Sequence, residues 1–145
     1  GLVLYSSAAS PCVRRVRITL LEKGLNFDTV EVSLPNMEQR SHEYLALNPN
    51  GFVPTLSHGE HVVYESSVIN QYLEEQFPEN GLVPSDAYGQ AQVAMWIEAE
   101  GQMAKIFRPI MYQRIKFAPP LRGGDFPFQA QAQRSTTRSI CFDRY

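Results

Sequence analysis

The chain has 145 residues, of which 43% are hydrophobic and 19% charged, a composition typical of a soluble globular protein. Its formal net charge of −2 argues against a nucleic-acid-binding surface spread over the whole molecule. No apolar run approaches the roughly 20 residues that span a bilayer. Cys12 and Cys141 lie far apart in different contexts, so no disulfide framework is expected. We therefore expect a cytoplasmic protein whose partners include neither nucleic acid nor membrane.

The first thirty residues predict a strand, a helix and a second strand. Residues 3–5 are apolar and predict a strand rather than a signal sequence. Ser10 is a typical helix N-cap and Pro11 suits the first helical position, while Gly24 ends the helix. Residues 27–32 alternate and are β-branched, which favours a strand. The three elements together predict a βαβ unit.

The next fifty residues predict two further strands and a helix. Residues 35–47 predict a loop with a short helix, and residues 53–56 and 61–64 predict a hairpin that turns across residues 57–60. A helix is expected over residues 65–77 because Pro78 follows. The inner face of this helix is predicted to comprise Val68, Ile69, Tyr72 and Leu73. The order βαβ-ββα is that of an α/β, thioredoxin-like fold.

The remainder of the chain changes in character. Residues 81–84 predict a linker, and Ser85 is expected to cap a long helix within a partial helical domain over residues 85–118. Residues 119–145 contain turn signals and polar residues without a sustained apolar period. We expect this last segment to be an irregular or disordered tail, and we hypothesise that the chain is truncated or altered in reading frame after Phe117.

Three motifs occur in the predicted thioredoxin-like domain. They are Ser-Pro-Cys at residues 10–12, Asn-Pro-Asn-Gly-Phe-Val-Pro-Thr-Leu at residues 48–56, and Glu-Ser at residues 65–66. In this combination the chain resembles the glutathione transferases over residues 2 to about 116. The resemblance implies a glutathione-binding domain at residues 1–80, followed by the start of the all-α C-terminal domain of that family. It also implies a detoxification enzyme that conjugates glutathione, its co-substrate, to a hydrophobic electrophile, as a homodimer and without a metal.

The resemblance assigns roles to four residues of the last two motifs. The Val53–Pro54 bond is expected to be cis, with the backbone of Val53 pairing with the cysteinyl peptide of glutathione. Ser66 is expected to hold the γ-glutamyl carboxylate at a helix N-terminus, and Glu65 to pair with the α-ammonium group. The alternative for Pro54 is a proline in a tight turn that binds nothing. The alternative for Ser66 is a plain helix cap, and because capping is compatible with binding, we expect Ser66 to do both.

Gln39 and Arg40 align with the family positions near the glycyl end of glutathione. A cation facing a carboxylate is reasonable there. Arg40 could equally be a solvated surface charge.

Ser10 is the first candidate for the reactive centre. A free cysteine thiol, with a pKa of about 8.5, is only a few per cent ionised at neutral pH, so glutathione has to be activated. A hydroxyl donor at a helix N-terminus can stabilise the thiolate. Ser10 also matches the catalytic serine of the phi and zeta classes, whereas an omega-like pattern would place Cys-Pro at Ser10-Pro11 and a delta-like register would use Ala9. Ser10 could alternatively be an N-cap only.

Cys12 is the second candidate. A thiolate there would form a mixed disulfide with glutathione, which would give a glutathione-dependent thiol reductase. A cysteine on a helix that faces a sheet is more often a small buried hydrophobe, and we expect that here. His42, His58 and His61 do not form a recognisable metal site.

A non-catalytic function is the other alternative. The segments 47–56, 72–78 and 82–84 also resemble the bacterial stringent starvation protein A, which keeps the fold but acts by binding RNA polymerase. Ser10 and Cys12 argue against this alternative, because a binding module needs neither a hydroxyl nor a thiol there. Retention on immobilised glutathione would discriminate between the two.

Overall fold

A computed structural model of the chain describes residues 1–117, apart from the side chains of residues 108–109 and 111–117. The elements in chain order are β1 (Leu2–Ser6), α1 (Pro11–Glu22), β2 (Phe27–Glu31), a 3-10 turn (Glu38–Arg40), α2 (His42–Leu47), β3 (Thr55–His58), β4 (His61–Tyr64), α3 (Ser66–Gln76) and α4 (Ala87–Phe117). The chain divides into two compact units between Gly89 and Gln90. The predicted irregular tail, residues 119–145, lies outside the described residues.

The four strands of the first unit form one sheet in the order β2-β1-β3-β4. β1 pairs with β2 in parallel and with β3 antiparallel, and β3 pairs antiparallel with β4. In this register Leu4 lies opposite Leu56, and Leu56 opposite Val63. The predicted βαβ-ββα order and the thioredoxin-like α/β fold are confirmed.

The core of the first unit lies between the sheet and the helices α1 and α3. Val13, Val16 and Leu20 are buried on α1, as their helical spacing indicates. The complete buried cluster comprises Leu2, Leu4, Val13, Val16, Leu20, Leu56, Ile69 and Leu73. Each such side chain contributes on the order of 1.5–3 kcal/mol through removal from water.

The hairpin differs from its prediction at both ends of β3. The strand begins at Thr55 rather than Val53, because Pro54 has no N–H to donate to a strand ladder. It continues to His58, which pairs with His61. The turn is therefore the two residues between them, and Gly59 adopts a φ of +60°, as tight hairpin turns require.

The predicted inner face of α3 is wrong at one position. Ile69 and Leu73 are fully buried, but Val68 is 48% exposed. The buried side of the helix repeats every three to four residues from Ser66, and Val68 falls outside that repeat.

The start of α4 also differs from the prediction. Asp86, not Ser85, supplies the cap, since its Oδ1 accepts a hydrogen bond of 2.8 Å from the backbone N–H of Gly89. Within the described range, no helix has the length and apolar character needed to cross a bilayer.

An ion pair connects the C-terminal end of α1 to α3. The Nζ of Lys23, whose side chain is 0% exposed, lies 2.8 Å from Oε2 of Glu74 and 3.2 Å from the carbonyl oxygen of Asn80. The other carboxylate oxygen of Glu74 accepts from the N–H groups of Leu82 and Val83 at 2.8 and 3.1 Å. Partial burial opposes ionisation of Glu74, but these hydrogen bonds, with that from Lys23 the strongest, hold its pKa below the ordinary value.

Candidate active site

Ser10 stands where β1 leads into α1. Its Oγ accepts a hydrogen bond of 3.4 Å from the backbone N–H of Val13, so Ser10 is the N-cap of α1 as predicted. A serine hydroxyl that accepts one bond still carries its own proton. The capping role therefore leaves Ser10 able to donate to a nearby anion.

Cys12 does not occupy the position expected of it. It is half-buried, and the α1 residues that face the sheet are its neighbour Val13 together with Val16 and Leu20. The expectation that Cys12 is a small buried hydrophobe is wrong, because Cys12 lies one position before the buried repeat. Its thiol is free.

A buried polar network supports the loop that precedes β3. The amide nitrogen of Asn48 donates to the carbonyl oxygen of Phe52 at 2.9 Å and to Oγ1 of Thr55 at 3.1 Å. The hydroxyl of Tyr44 donates to the same carbonyl at 2.7 Å and lies 2.8 Å from the same Oγ1. Between these anchors the peptide bond before Pro54 is cis, as the resemblance implies.

Sequence reasoning did not assign Tyr44 and Asn48 to the site. Asn48 is the first residue of the recognised motif. An asparagine directly before a proline in that motif is a sequence signal that could have assigned Asn48 to the site. Tyr44 gives no such signal, because its partner Thr55 is eleven residues away. Burial raises the pKa of the Tyr44 phenol above its ordinary value, against hydrogen bonds to Thr55 and Asn48 that lower it.

Arg40 is exposed and also contacts the loop. Its Nη1 donates to the carbonyl oxygen of Asn50 at 3.3 Å, and its guanidinium carbon lies 5.3 Å from the centre of the Phe52 ring. The close approach depends on Gly51, which has a φ of +63°. A Cβ there would lie 2.8 Å from both Arg40 Nη1 and the Gln39 carbonyl oxygen.

Gln39 is buried directly before Arg40. Its Nε2 contacts the sulfur of Met37 at 3.6 Å. Its Oε1 is buried and has no hydrogen-bond partner among residues 1–117. The Gln39 amide therefore keeps an unused acceptor beside the loop.

The N-terminus of α3 carries Glu65 and Ser66. Glu65 occupies the N-cap position with a φ of +70° and makes no capping bond through its side chain, so Ser66 does not cap the helix, contrary to expectation. Ser66 is 7% exposed, and its Oγ accepts a hydrogen bond of 3.2 Å from Nη1 of Arg15. An arginine of α1 thus lies beside the uncapped start of α3.

Asn50 brings two groups of predicted residues together. Its carbonyl accepts from Arg40, while its Nδ2 donates to Oε1 of Glu65 at 3.5 Å. Ser10 caps α1 and Cys12 lies on it, and Arg15 of the same helix contacts Ser66. In residues 1–117, no three His, Cys, Asp or Glu side chains are grouped as a metal site requires.

The chain is similar to known glutathione S-transferases. The sequence profile described as "Glutathione S-transferase, N-terminal domain" matches residues 9–76. Glutathione S-transferase 1 of Dianthus caryophyllus is 51% identical over 83 residues, which are 57% of this chain and 38% of that protein. A zeta-class glutathione S-transferase of Euphorbia esula is 46% identical over 90 residues, which are 62% of this chain and 40% of that protein.

A solved structure agrees with these sequence relatives. A bacterial zeta-class maleyl pyruvate isomerase in its holo form has a TM-score of 0.67 and 32% identity, covering 81% of this chain and 57% of its own. The present chain spans about two fifths of the length of the two curated plant relatives.

Proposed function

We propose that this chain, which belongs to the glutathione transferase family, binds glutathione in its N-terminal domain and conjugates the thiolate to a hydrophobic electrophile. Ser66, Glu65, Val53, Pro54, Gln39 and Arg40 are proposed to hold glutathione. The hydroxyl of Ser10 is proposed to stabilise the thiolate.

The observation that carries the proposal is the uncapped N-terminus of α3. Ser10 and Ser41 cap α1 and α2 with their side chains, whereas Glu65 leaves the first N–H groups of α3 without a side-chain acceptor. These groups and the helix dipole favour an anion. Because Arg15 donates to the Ser66 oxygen, the Ser66 hydroxyl proton remains available to the same anion. The γ-glutamyl carboxylate of glutathione suits such a position.

The position of Ser10 supports the proposed stabilisation of the glutathione thiolate. Its oxygen already accepts from Val13, so its proton can be donated to the glutathione sulfur at the N-terminus of α1. A donor and a helix dipole that favour the thiolate over the thiol by about 2.7 kcal/mol would lower the thiol pKa by two units.

Calorimetric titration of the full 145-residue chain with glutathione tests the binding. We expect saturable binding that weakens about tenfold in Ser66→Ala, since a hydrogen bond to a charged group is lost. Ser67→Ala is the matched control, because the adjacent serine keeps the same backbone N–H groups and its side chain makes no hydrogen bond to the described residues. Absence of binding, or equal weakening by both substitutions, would refute the proposed site.

Turnover of chlorodinitrobenzene tests the transferase activity. The proposal includes the activity, the electrophile, a homodimer and a cytoplasmic location. Binding without turnover would restrict the function of this chain to holding glutathione.

The free, half-buried thiol of Cys12 favours one alternative activity, glutathione-dependent thiol reduction. In that reaction the Cys12 thiolate attacks a glutathione mixed disulfide, the substrate leaves as its thiol, and a second glutathione releases the first as glutathione disulfide. Cys12→Ala would abolish this reduction and leave conjugation intact, whereas Ser10→Ala would do the reverse.

A further inference from the structure

A cleft lies beside α1, at the carboxyl ends of the parallel strands β1 and β2. Its volume is about 320 Å³, and it is lined by Ser6, Ala8, Val13, Arg14, Arg17 and Glu31. None of these residues belongs to the proposed glutathione site. The carboxyl ends of parallel strands are a common position for ligands in α/β proteins, and this volume is at the lower end of the range for small-molecule pockets.

The charges along the cleft favour an anion. Arg14 and Arg17 are three residues apart and therefore neighbours on α1. Neither forms an ion pair within the described residues. The guanidinium of Arg17 lies 5.9 Å from the centre of the Phe27 ring, a contact that leaves its N–H groups unused. Glu31 is engaged, because its Oε1 accepts from the backbone N–H of Ala8 at 3.3 Å.

Ser6 adds a polar group to the lining of the cleft. It is 3% exposed at the end of β1, and its hydroxyl has no hydrogen-bond partner in the described part of the chain. The Ser6 hydroxyl is therefore available to donate to a ligand in the cleft. Val13 and Ala8 supply an apolar wall beside it.

We propose that this cleft binds a small organic monocarboxylate, independently of glutathione. The two guanidinium groups and the Glu31 carboxylate leave one net positive charge, which a single carboxylate neutralises. The planar fork of an arginine matches a carboxylate, and the Ser6 hydroxyl donates to it as well. The short apolar part of the ligand lies against Val13 and Ala8.

Titration of the full chain with butyrate, followed by the backbone amide resonances of Ala8, Val13 and Glu31, tests the proposal. At constant ionic strength we expect saturable shifts at these three positions. Butyramide, which has the same shape without the charge, is expected to produce none. Equal shifts with butyramide, or shifts that grow linearly without saturating, would overturn the proposal.

Variants separate the cleft from general charge effects. Arg14→Gln is expected to weaken butyrate binding on the order of tenfold. Lys105→Gln removes the same charge from an exposed position on α4 and is expected to leave binding unchanged. Ser6→Ala is expected to weaken binding severalfold with an unchanged amide spectrum elsewhere. If Lys105→Gln weakened binding as much as Arg14→Gln, the cleft would not be the site. Glutathione titrations in the same variants are expected to match the wild-type chain.

Discussion

Lys23 and Glu74 form a short ion pair across 51 residues of sequence, with 2.8 Å between Nζ and Oε2. The lysine side chain is fully buried, whereas the glutamate keeps some contact with solvent. The same carboxylate also binds the backbone ahead of α4 through Leu82 and Val83. One side chain therefore stabilises the ends of two helices and the segment that follows them.

Glu74→Gln is expected to lower the free energy of unfolding by about 2 kcal/mol at neutral pH. Loss of the charge leaves Lys23 buried without its counter-ion, and the residual exposure of Glu74 places the cost below that of a fully buried pair. Chemical denaturation measures the change. Glu79→Gln, at an exposed position nearby, is the control and should change stability by less than about 0.5 kcal/mol.

The contribution of Glu74 should depend on pH. Its folded pKa is held below the ordinary value of 4.5, so its stabilisation is fully present above that value and is lost as the pH falls through the folded pKa. The stability difference between the wild-type chain and Glu74→Gln should therefore be constant near neutrality and shrink in acid. A difference that stayed constant down to acid unfolding would contradict this origin.

Gly51→Ala and Gly59→Ala form a matched pair. Both glycines have a positive φ, of +63° and +60°, so alanine costs about 1–2 kcal/mol at either position. Only at Gly51 would the new Cβ meet Arg40 and the Gln39 carbonyl, while nothing lies within 4 Å at Gly59. We expect Gly51→Ala to cost about 1–3 kcal/mol more and to weaken glutathione binding as well. Thermal unfolding measures the stability change and calorimetry the glutathione binding. If the two substitutions had equal effects in both measurements, the loop at Gly51 would not be tight.

Ser10→Ala and Ser41→Ala separate capping from catalysis. Each serine caps a helix, so each substitution should lower stability by about 1 kcal/mol. Only Ser10→Ala should raise the pKa of the bound glutathione thiol, by about one unit, because a donor to the thiolate is lost. Ultraviolet titration of the bound thiolate measures this pKa. If the pKa of the bound thiol were unchanged in Ser10→Ala, the role of Ser10 would be limited to capping α1.

Asn48→Ala is expected to lower the free energy of unfolding by about 2 kcal/mol. It removes two donors from the loop and the acceptor of the Asn50 N–H, although Tyr44 still serves two of the partners. Asn36→Ala, on an exposed loop, should stay within about 0.5 kcal/mol of the wild-type chain. Urea denaturation measures the free energy of unfolding. Similar decreases in the two variants would show that the buried network contributes little to stability.

Local signals in the sequence predicted much of the fold. Ser10 and Pro11 marked the start of α1, and the spacing of Val13, Val16 and Leu20 marked its buried face, because both depend on residues a few positions apart. The ion pair of Lys23 with Glu74 could not be predicted in this way.

Contacts between residues distant in sequence could not be predicted at the candidate site either. The motif at residues 48–56 located the loop, but its support by Tyr44 and the contact of Arg15 with Ser66 depend on how separate segments pack. The conformation of Glu65 was not predicted because a positive φ is uncommon for a glutamate.

Two polar contacts that link α1 and its C-cap to α3 have the same offset. Arg15 pairs with Ser66 and Lys23 with Glu74, so eight residues, about 12 Å of helix, separate the contacts on each side. If the register between the helices changed by one residue, the residue at each contact would be displaced by about 1.5 Å along the axis and by about 100° around it. Both contacts would then be lost. A one-residue insertion between the contacts in either helix should thus shift the first turn of α3 relative to that of α1, where Ser10 lies. The longitudinal alignment of the two proposed glutathione-binding turns therefore depends on Arg15–Ser66 beside them and also on Lys23–Glu74, more than two helical turns away.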